Sequence, residues 1–575
     1  MQLKGNRIHR RLERIYGPET ALEILPDLER LIEKYAGTIS PQTSGWSEAD
    51  AFLITYADSI TGDAPPLQIL AHFLREQVGN AISMVHLLPF YPYSSDDGFA
   101  VEDFREVRSD LGDWEDIRSL SKEHRLVFDG VINHVSSTSV YMQGYVRGDP
   151  ACEDFFVALD PATDTSKVLR TRNLPLLHEY DTVEGKRWLW TTFSDDQIDL
   201  NFRNPKVLLE IVDVLFGYAA AGASIIRLDA IPYLWKQLGT SCAHLPETHE
   251  LIKLLRDLYN TVAPHVLLLT ETNVPHNENI SYFGDRGDEA QIIYNFSLPP
   301  LVLWSLVEGD ATILSKWAQS IEYIGERATY LNITATHDGI GMRPTEGILS
   351  ETQRARLVQM AYDHGGAMTG KRNEDGSVAP YELNLSYFDA VNDPRNDEPD
   401  ELRIARFLVA QSIPMALMGI PGIYIHSLLG SRNDYAGVEA SGRARSINRQ
   451  QLDLESLQTQ LADPTSLRAR IFSQIKARLE LRARQRAFSP DAPQCILDLG
   501  PGVFAVERTH PASGERLIAL HNVTNAAIDL PLGGASPDLR GKDILNDEAI
   551  GFDSKTLSFS PYQVRWINAE PLTNN

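Results

Sequence analysis

The strongest constraint in this sequence is a repeated alternation. Eight short apolar runs, rich in β-branched or aromatic residues, recur between positions 52 and 426. They read FLITY (52–56), SMVHLLP (83–89), RLVFDGVIN (125–133), SIIRLDA (224–230), VLLLTE (266–271), IIYNF (292–296), TYLNITATHD (329–338) and GIYIH (422–426). Runs that are apolar on both faces mark strands buried on both sides, as in parallel sheets. Amphipathic stretches lie between most of them, among them 205–221, 247–262 and 351–362. Eight alternating β and α units over roughly 370 residues predict an α/β fold, a (β/α)8 TIM barrel.

Two connections are too long for simple loops. One spans 135–203, after the third strand, and the other 339–400, after the seventh. Long excursions from the C-terminal ends of barrel strands sit at the functional mouth. The second contains GKRNEDGSVAPYELN, whose Gly, Asn and charge content predicts a mobile loop. The barrel then takes 51–134 and 204–488. Residues 1–50 form an N-terminal helical extension, with helical apolar spacing over 18–35 that predicts packing on a larger body. After a charged helical stretch near 466–488, CILDLG, GVFAVER, RLIALHNV, AAIDLPL and TLSFSPYQVRWIN predict a C-terminal antiparallel β domain over 489–575.

Charge narrows the class of ligand. Lys and Arg total 53 against 78 Asp and Glu, a net charge of −25. Nucleic acid and anionic membrane are poor partners for such a chain, and a phosphate ligand needs a local cationic pocket. The three cysteines, Cys152, Cys242 and Cys495, show no metal-ligand spacing and cannot form a complete disulfide set. A reducing cytoplasm is the simple expectation. The opening MQLKGNRIHRRLERIYG lacks the apolar core of a signal peptide. The uncharged run 407–430 carries Pro414, Pro421 and several glycines, so it reads as a buried helix, turn and strand rather than a membrane span.

Polar residues then stand out at the strand ends. Arg227 and Asp229 in SIIRLDA are two apart and share one side of the strand. The guanidinium is expected to lower the Asp229 pKa, which suits a nucleophile, although a structural ion pair is the other reading. Glu271 closes an apolar run, where partial burial raises a carboxyl toward neutrality, as a general acid requires. TATHDG supplies His337 and Asp338, and DGVINH supplies His134 with Asp129 before it. Carboxylates and imidazoles converging on one mouth match retaining glycoside chemistry, in which one carboxylate attacks and another protonates the leaving oxygen. PFYPYSSDDGF adds Tyr91, Tyr93, Phe99, Asp96 and Asp97, residue types that stack on sugar rings and bind their hydroxyls. GGAMTGKR (365–372) imitates a phosphate-binding loop, but Arg372 stands where Ser or Thr is needed and no strand precedes it.

DGVINH, SIIRLDA, LLLTE and TATHDG resemble, in order, the four signature regions of the α-amylase superfamily, glycoside hydrolase family 13, over roughly residues 50–560. HLLPFYPYSSDDGF, THDGIG and GRARSINR resemble the sucrose phosphorylase subgroup. The resemblance implies Asp229 as nucleophile, Glu271 as general acid/base and Asp338 as transition-state stabiliser. It implies that His134, Arg227 and His337 hold the glucosyl unit, that Asp96 and Arg445 pin its distal hydroxyls, and that Phe99 forms a stacking platform. Arg170 and Arg172 in VLRTRNLPLL resemble the phosphate-binding stretch of that subgroup, and Tyr381 and Glu382 fall on its mobile acceptor loop. The implied reaction is phosphorolysis to α-D-glucose 1-phosphate, with inorganic phosphate as a substrate, no cofactor and no metal. The partners are then a small sugar substrate and phosphate, with a homodimer possible. RTRNLP replaces the usual RPRPGLP, Glu382 replaces a usual Gln, and the chain is longer. These departures turn the resemblance toward glucosylglycerate phosphorylases, ahead of sucrose, glucosylglycerol or sucrose 6′-phosphate phosphorylases or a hydrolase or transglucosidase.

Overall fold

The computed structural model describes residues 3–569 except 173, 286, 373–377, 533–538 and 552–554. Each of the eight apolar runs contains a strand. These are β1 (Phe52–Thr55), β2 (Met84–Leu87), β3 (Arg125–Gly130), β4 (Ala223–Leu228), β5 (Leu267–Thr270), β6 (Ile292–Tyr294), β7 (Thr329–Ile333) and β8 (Ile420–Tyr424). They pair in parallel in sequence order, and β8 returns to β1 to close the barrel. Every residue of β4 and β5 is buried, which is why those runs carry no polar alternation. The run 407–430 forms the helix Asp400–Ala416, then β8, then a short helix Ile425–Leu428. No helix among the described residues is long and apolar enough to cross a membrane.

The N-terminal helices α1 (Arg7–Tyr16) and α2 (Pro18–Tyr35) lie against the barrel helices Pro205–Ala220 and Pro246–Val262. Leu12, Ala21, Leu28 and Ile32 face inward. Arg11 is buried with them and bonds Asp257 at 2.6 Å, Glu250 at 3.0 Å and Asp288 at 3.1 Å. The basic opening of the chain thus serves as an ionic clasp on the acidic face of a barrel helix.

The long connections are structured. After β3 come the helix Val140–Val146 and the hairpin Leu177–Thr182 with Gly185–Trp190. After β7, GGAMTGKR and the following residues form two arms of an antiparallel ladder, Ala367–Arg372 and Val378–Asn384. The expected mobile loop is therefore strand on both described arms, and positions 373–377 lie outside the described residues. Main-chain pairing of the two arms, from Ala367 with Asn384 to Arg372 with Val378, makes the strands, and composition alone does not announce such pairing.

The C-terminal strands form a six-stranded antiparallel sheet, with a two-stranded pair, Ile528–Pro531 and Thr556–Phe559, beside it. Two buried arginines gather the chain around the end of the helix Asp400–Ala416, and one of them belongs to that sheet. Arg482, at the end of the helix Leu467–Arg482, donates to the carbonyls of Met415, Gly419, Asp50 and Phe488. Arg508, on the strand Val503–Thr509, donates to Ala416, Ser489 and Ala492. Met415 and Ala416 end the helix Asp400–Ala416, so both cations sit at its negative pole.

Candidate active site

One pocket opens at the C-terminal ends of the barrel strands and gathers most of the residues singled out above. Asp96, Phe99, His134, Arg172, Asp229, Glu271, His337, Asp338, Tyr381, Glu382 and Arg445 all line it. β3 and β4 pair Asp129 with Arg227 in register, and β4 aligns with β5 so that Asp229 and Glu271 emerge side by side. Arg227 is 3% exposed and donates from one nitrogen to both Asp229, at 2.9 Å, and Asp129. Asp129 also meets His86 at 2.8 Å and lies wholly inside, so it supports the site without lining it.

Ala230 adopts left-handed backbone (φ 49°), which turns its N–H onto Glu271 Oε2 at 3.1 Å. That bond ties the two candidate catalytic carboxyls to one peptide. Burial is the main influence on Glu271, and with Asp229 and Asp338 nearby it pushes the pKa up to about 7 against the pull of Arg227. The Asp229 pKa is also raised, which corrects the expectation that Arg227 would lower it. Burial outweighs a guanidinium whose charge is shared with Asp129, and the Asp129 and Asp338 charges add to the rise. Asp338 behaves oppositely. Burial opposes its charge, but His337, Arg445, Arg449 and Arg227 together hold it well below the usual range. Burial pushes the His337 pKa well below its ordinary value, and the Asp338 charge beside it pulls the other way.

The rest of the pocket is built from the loops. Asp96 and Asp97 both take left-handed backbone, φ 54° and 50°, a conformation that costs non-glycine residues about 1–3 kcal/mol each. It is held by Gln197, which donates to Asp96 at 3.2 Å, and by Arg443 and Arg449, which bond Asp97. Phe99 stacks parallel to the His337 ring at 4.9 Å, so one face of the expected sugar platform is covered by an imidazole. His134 Nε2 lies 2.9 Å from the Phe99 main-chain carbonyl, which fixes the orientation of the imidazole. Arg445 reaches Asp338 at 3.1 Å and Asp96 at 3.9 Å, and it donates two hydrogen bonds to Glu382, at 2.6 and 3.1 Å. Tyr381 and Glu382 are buried in the hairpin strand rather than carried on an open loop.

The two candidate arginines of the third-strand insertion part company. Arg170 donates to the Leu174 carbonyl of its own loop and does not line the pocket. Arg172 lines it, with its guanidinium 5.0 Å over the Tyr381 ring and Nη1 buried without a partner. Sequence reasoning passed over Gln197, Phe193, Tyr233 and Asn273, which also line the pocket. It passed over Arg449 too, which donates to the His337 carbonyl at 2.8 Å and lies 3.7 Å from Asp338. GRARSINR contained that residue, but Arg449 closes a short 3-10 helix, Ala444–Asn448, and no local spacing announces that it turns to the same carboxylate as Arg445. Among the described residues no cluster of three His, Cys, Asp or Glu is placed to hold a metal ion.

A family model described as the catalytic domain of α-amylases matches residues 78–337. The glucosylglycerate phosphorylase of Allomeiothermus silvanus is 49% identical over 84% of this chain and 86% of its own. The glucosylglycerate phosphorylase of Spirochaeta thermophila is 42% identical over 98% of each chain. The crystal structure of a sucrose 6F-phosphate phosphorylase from Thermoanaerobacter thermosaccharolyticum superposes with a TM-score of 0.72 at 23% identity, covering 85% of this chain and 95% of its own.

Proposed function

The chain belongs to the α-amylase family, among its glucosylglycerate phosphorylases, and from that premise we propose a retaining phosphorylase that transfers glucose between D-glycerate and inorganic phosphate. In this reading Asp229 attacks the anomeric carbon while Glu271 protonates the glycerate oxygen that leaves. Asp338, kept ionised by the cations around it, faces the positive charge that develops on the sugar. Phosphate then enters from the side the acceptor vacated, and Glu271, now ionised, takes its proton. Two inversions return the α configuration, so the product is α-D-glucose 1-phosphate.

One observation carries the proposal: Glu271, with a pKa near 7, is tied by the Ala230 N–H to the wall that presents Asp229. A group titrating near neutrality gives and takes a proton in alternate steps, as both half-reactions require. Phosphate and glycerate are both anions, and Arg172 offers a buried, unpaired guanidinium nitrogen to receive them in a chain of net charge −25. Phosphate here is a substrate, and the reaction as proposed needs no cofactor.

Reverse phosphorolysis tests the reading. α-D-Glucose 1-phosphate is supplied with D-glycerate, fructose, glycerol or fructose 6-phosphate in turn, and phosphate release is followed. Release with D-glycerate at least tenfold faster than with the others is expected. Equal rates without any acceptor would mark a hydrolase instead.

A further inference from the structure

Asn273 stands two residues beyond Glu271 and lines the same pocket. It also lines a second, small pocket beside the end of β7, together with Thr336, Asp338 and Asn448. Its Oδ1 is buried, and its amide forms no hydrogen bond with any described residue. Both ends of the amide are open, whichever way it is turned. A polar group left unpaired on the wall of a ligand pocket awaits the ligand.

The surroundings indicate which part of the ligand it meets. A Cβ at Gly341 would lie 2.7 Å from Asn273 Oδ1 and 3.2 Å from Nδ2, so glycine leaves the amide its room. Gly341 pairs with Glu382, which puts Asn273 between Glu271 and the hairpin that carries Tyr381 and Glu382. That is the acceptor side, because Glu271 hands its proton to the leaving oxygen. Arg172, stacked over Tyr381, brings the second unpaired polar atom to the same side.

We propose that Asn273 is a specificity-determining residue that hydrogen-bonds the free hydroxyl of the acceptor, while Arg172 takes its anionic group. The acceptor class is then a short hydroxy acid with one hydroxyl to receive glucose and a second to be read. This rests on the phosphorylase reading above and adds what selects the acceptor. D-Glycerate meets the requirement, whereas D-lactate has the same carboxylate and reacting hydroxyl but a methyl group in place of the hydroxymethyl that carries the second hydroxyl.

The test compares phosphate release from α-D-glucose 1-phosphate with D-glycerate and with D-lactate. The wild type is expected to favour D-glycerate by well over tenfold in kcat/KM, as sites built around a substrate hydroxyl do. Asn273→Ala is expected to reduce that preference by about tenfold, the worth of one neutral hydrogen bond. Asn273→Ser, which keeps a short polar group, is expected to fall between and serves if the alanine variant does not fold. An unchanged glycerate-to-lactate ratio in the variants, or a wild type indifferent to the second hydroxyl, overturns the assignment alone. A wild type that releases phosphate with neither acid overturns the phosphorylase reading and this assignment with it.

Discussion

At the scale of single residues, Glu271 sets the pH behaviour. Its carboxyl, moved from its ordinary 4.5 to about 7, stays protonated up to neutrality. In the proposed reaction, transfer of glucose out of glucosylglycerate needs that proton, so kcat/KM for phosphorolysis should fall as pH rises through about 7. Glu271→Gln should abolish this limb and cost roughly 10²–10⁴-fold in rate, and a pH–rate series on both proteins decides it. Stability moves in the same direction. Between about 4.5 and 7 the folded chain holds a proton that the unfolded chain has released, so folding loses stability as pH rises through that window. Glu271→Gln should therefore melt higher than wild type at pH 8 and show little difference at pH 4, as read by calorimetry. Arg227 is the complementary case. Arg227→Ala would leave Asp129 and Asp229 with no shared cation, and removing one partner of a buried pair costs about 3–5 kcal/mol. A urea midpoint unchanged from wild type would contradict this account of the network.

At the scale of elements, the barrel was legible because each strand is buried on both faces and the apolar runs announce it. The strand-end positions of Asp229, Glu271, His337 and Asp338 followed from the same runs. What the sequence hid are pairings between distant loops. Nothing local to SIIRLDA tells that Arg227 divides its charge with Asp129, 98 residues away, and that division left burial free to raise the Asp229 pKa. Nothing in VLRTRNLPLL separates Arg170, turned to its own loop, from Arg172, stacked under the hairpin. The strands Ala367–Arg372 and Val378–Asn384 are the element that brings Tyr381 and Glu382 to the pocket, and Glu382 locks them there through Arg445. Glu382→Ala should free Arg445 toward Asp96 and Asp338 and raise KM for α-D-glucose 1-phosphate by roughly 10–100-fold, the loss of a charge-assisted bidentate bond. Initial-rate kinetics would disprove this if KM stayed within twofold.

At the scale of the molecule, buried arginines tie the N-terminal helices and the C-terminal sheet to the barrel. Arg11 bonds three acidic residues of the barrel from the N-terminal side, and its replacement by Ala should lower stability by about 3 kcal/mol. Calorimetry should show one transition that moves as a whole, and a separate early transition of the extension would refute the shared-core view. Arg482 and Arg508 act likewise at the other end, spending their donors on main-chain oxygens that belong to three different regions. A hybrid that grafts a cousin's tail sheet onto this barrel would therefore inherit a mismatched keystone unless the end of the helix Asp400–Ala416 travelled with it. Recombination between relatives should succeed at crossovers that keep both guanidinium nests whole and fail at those that cut between them.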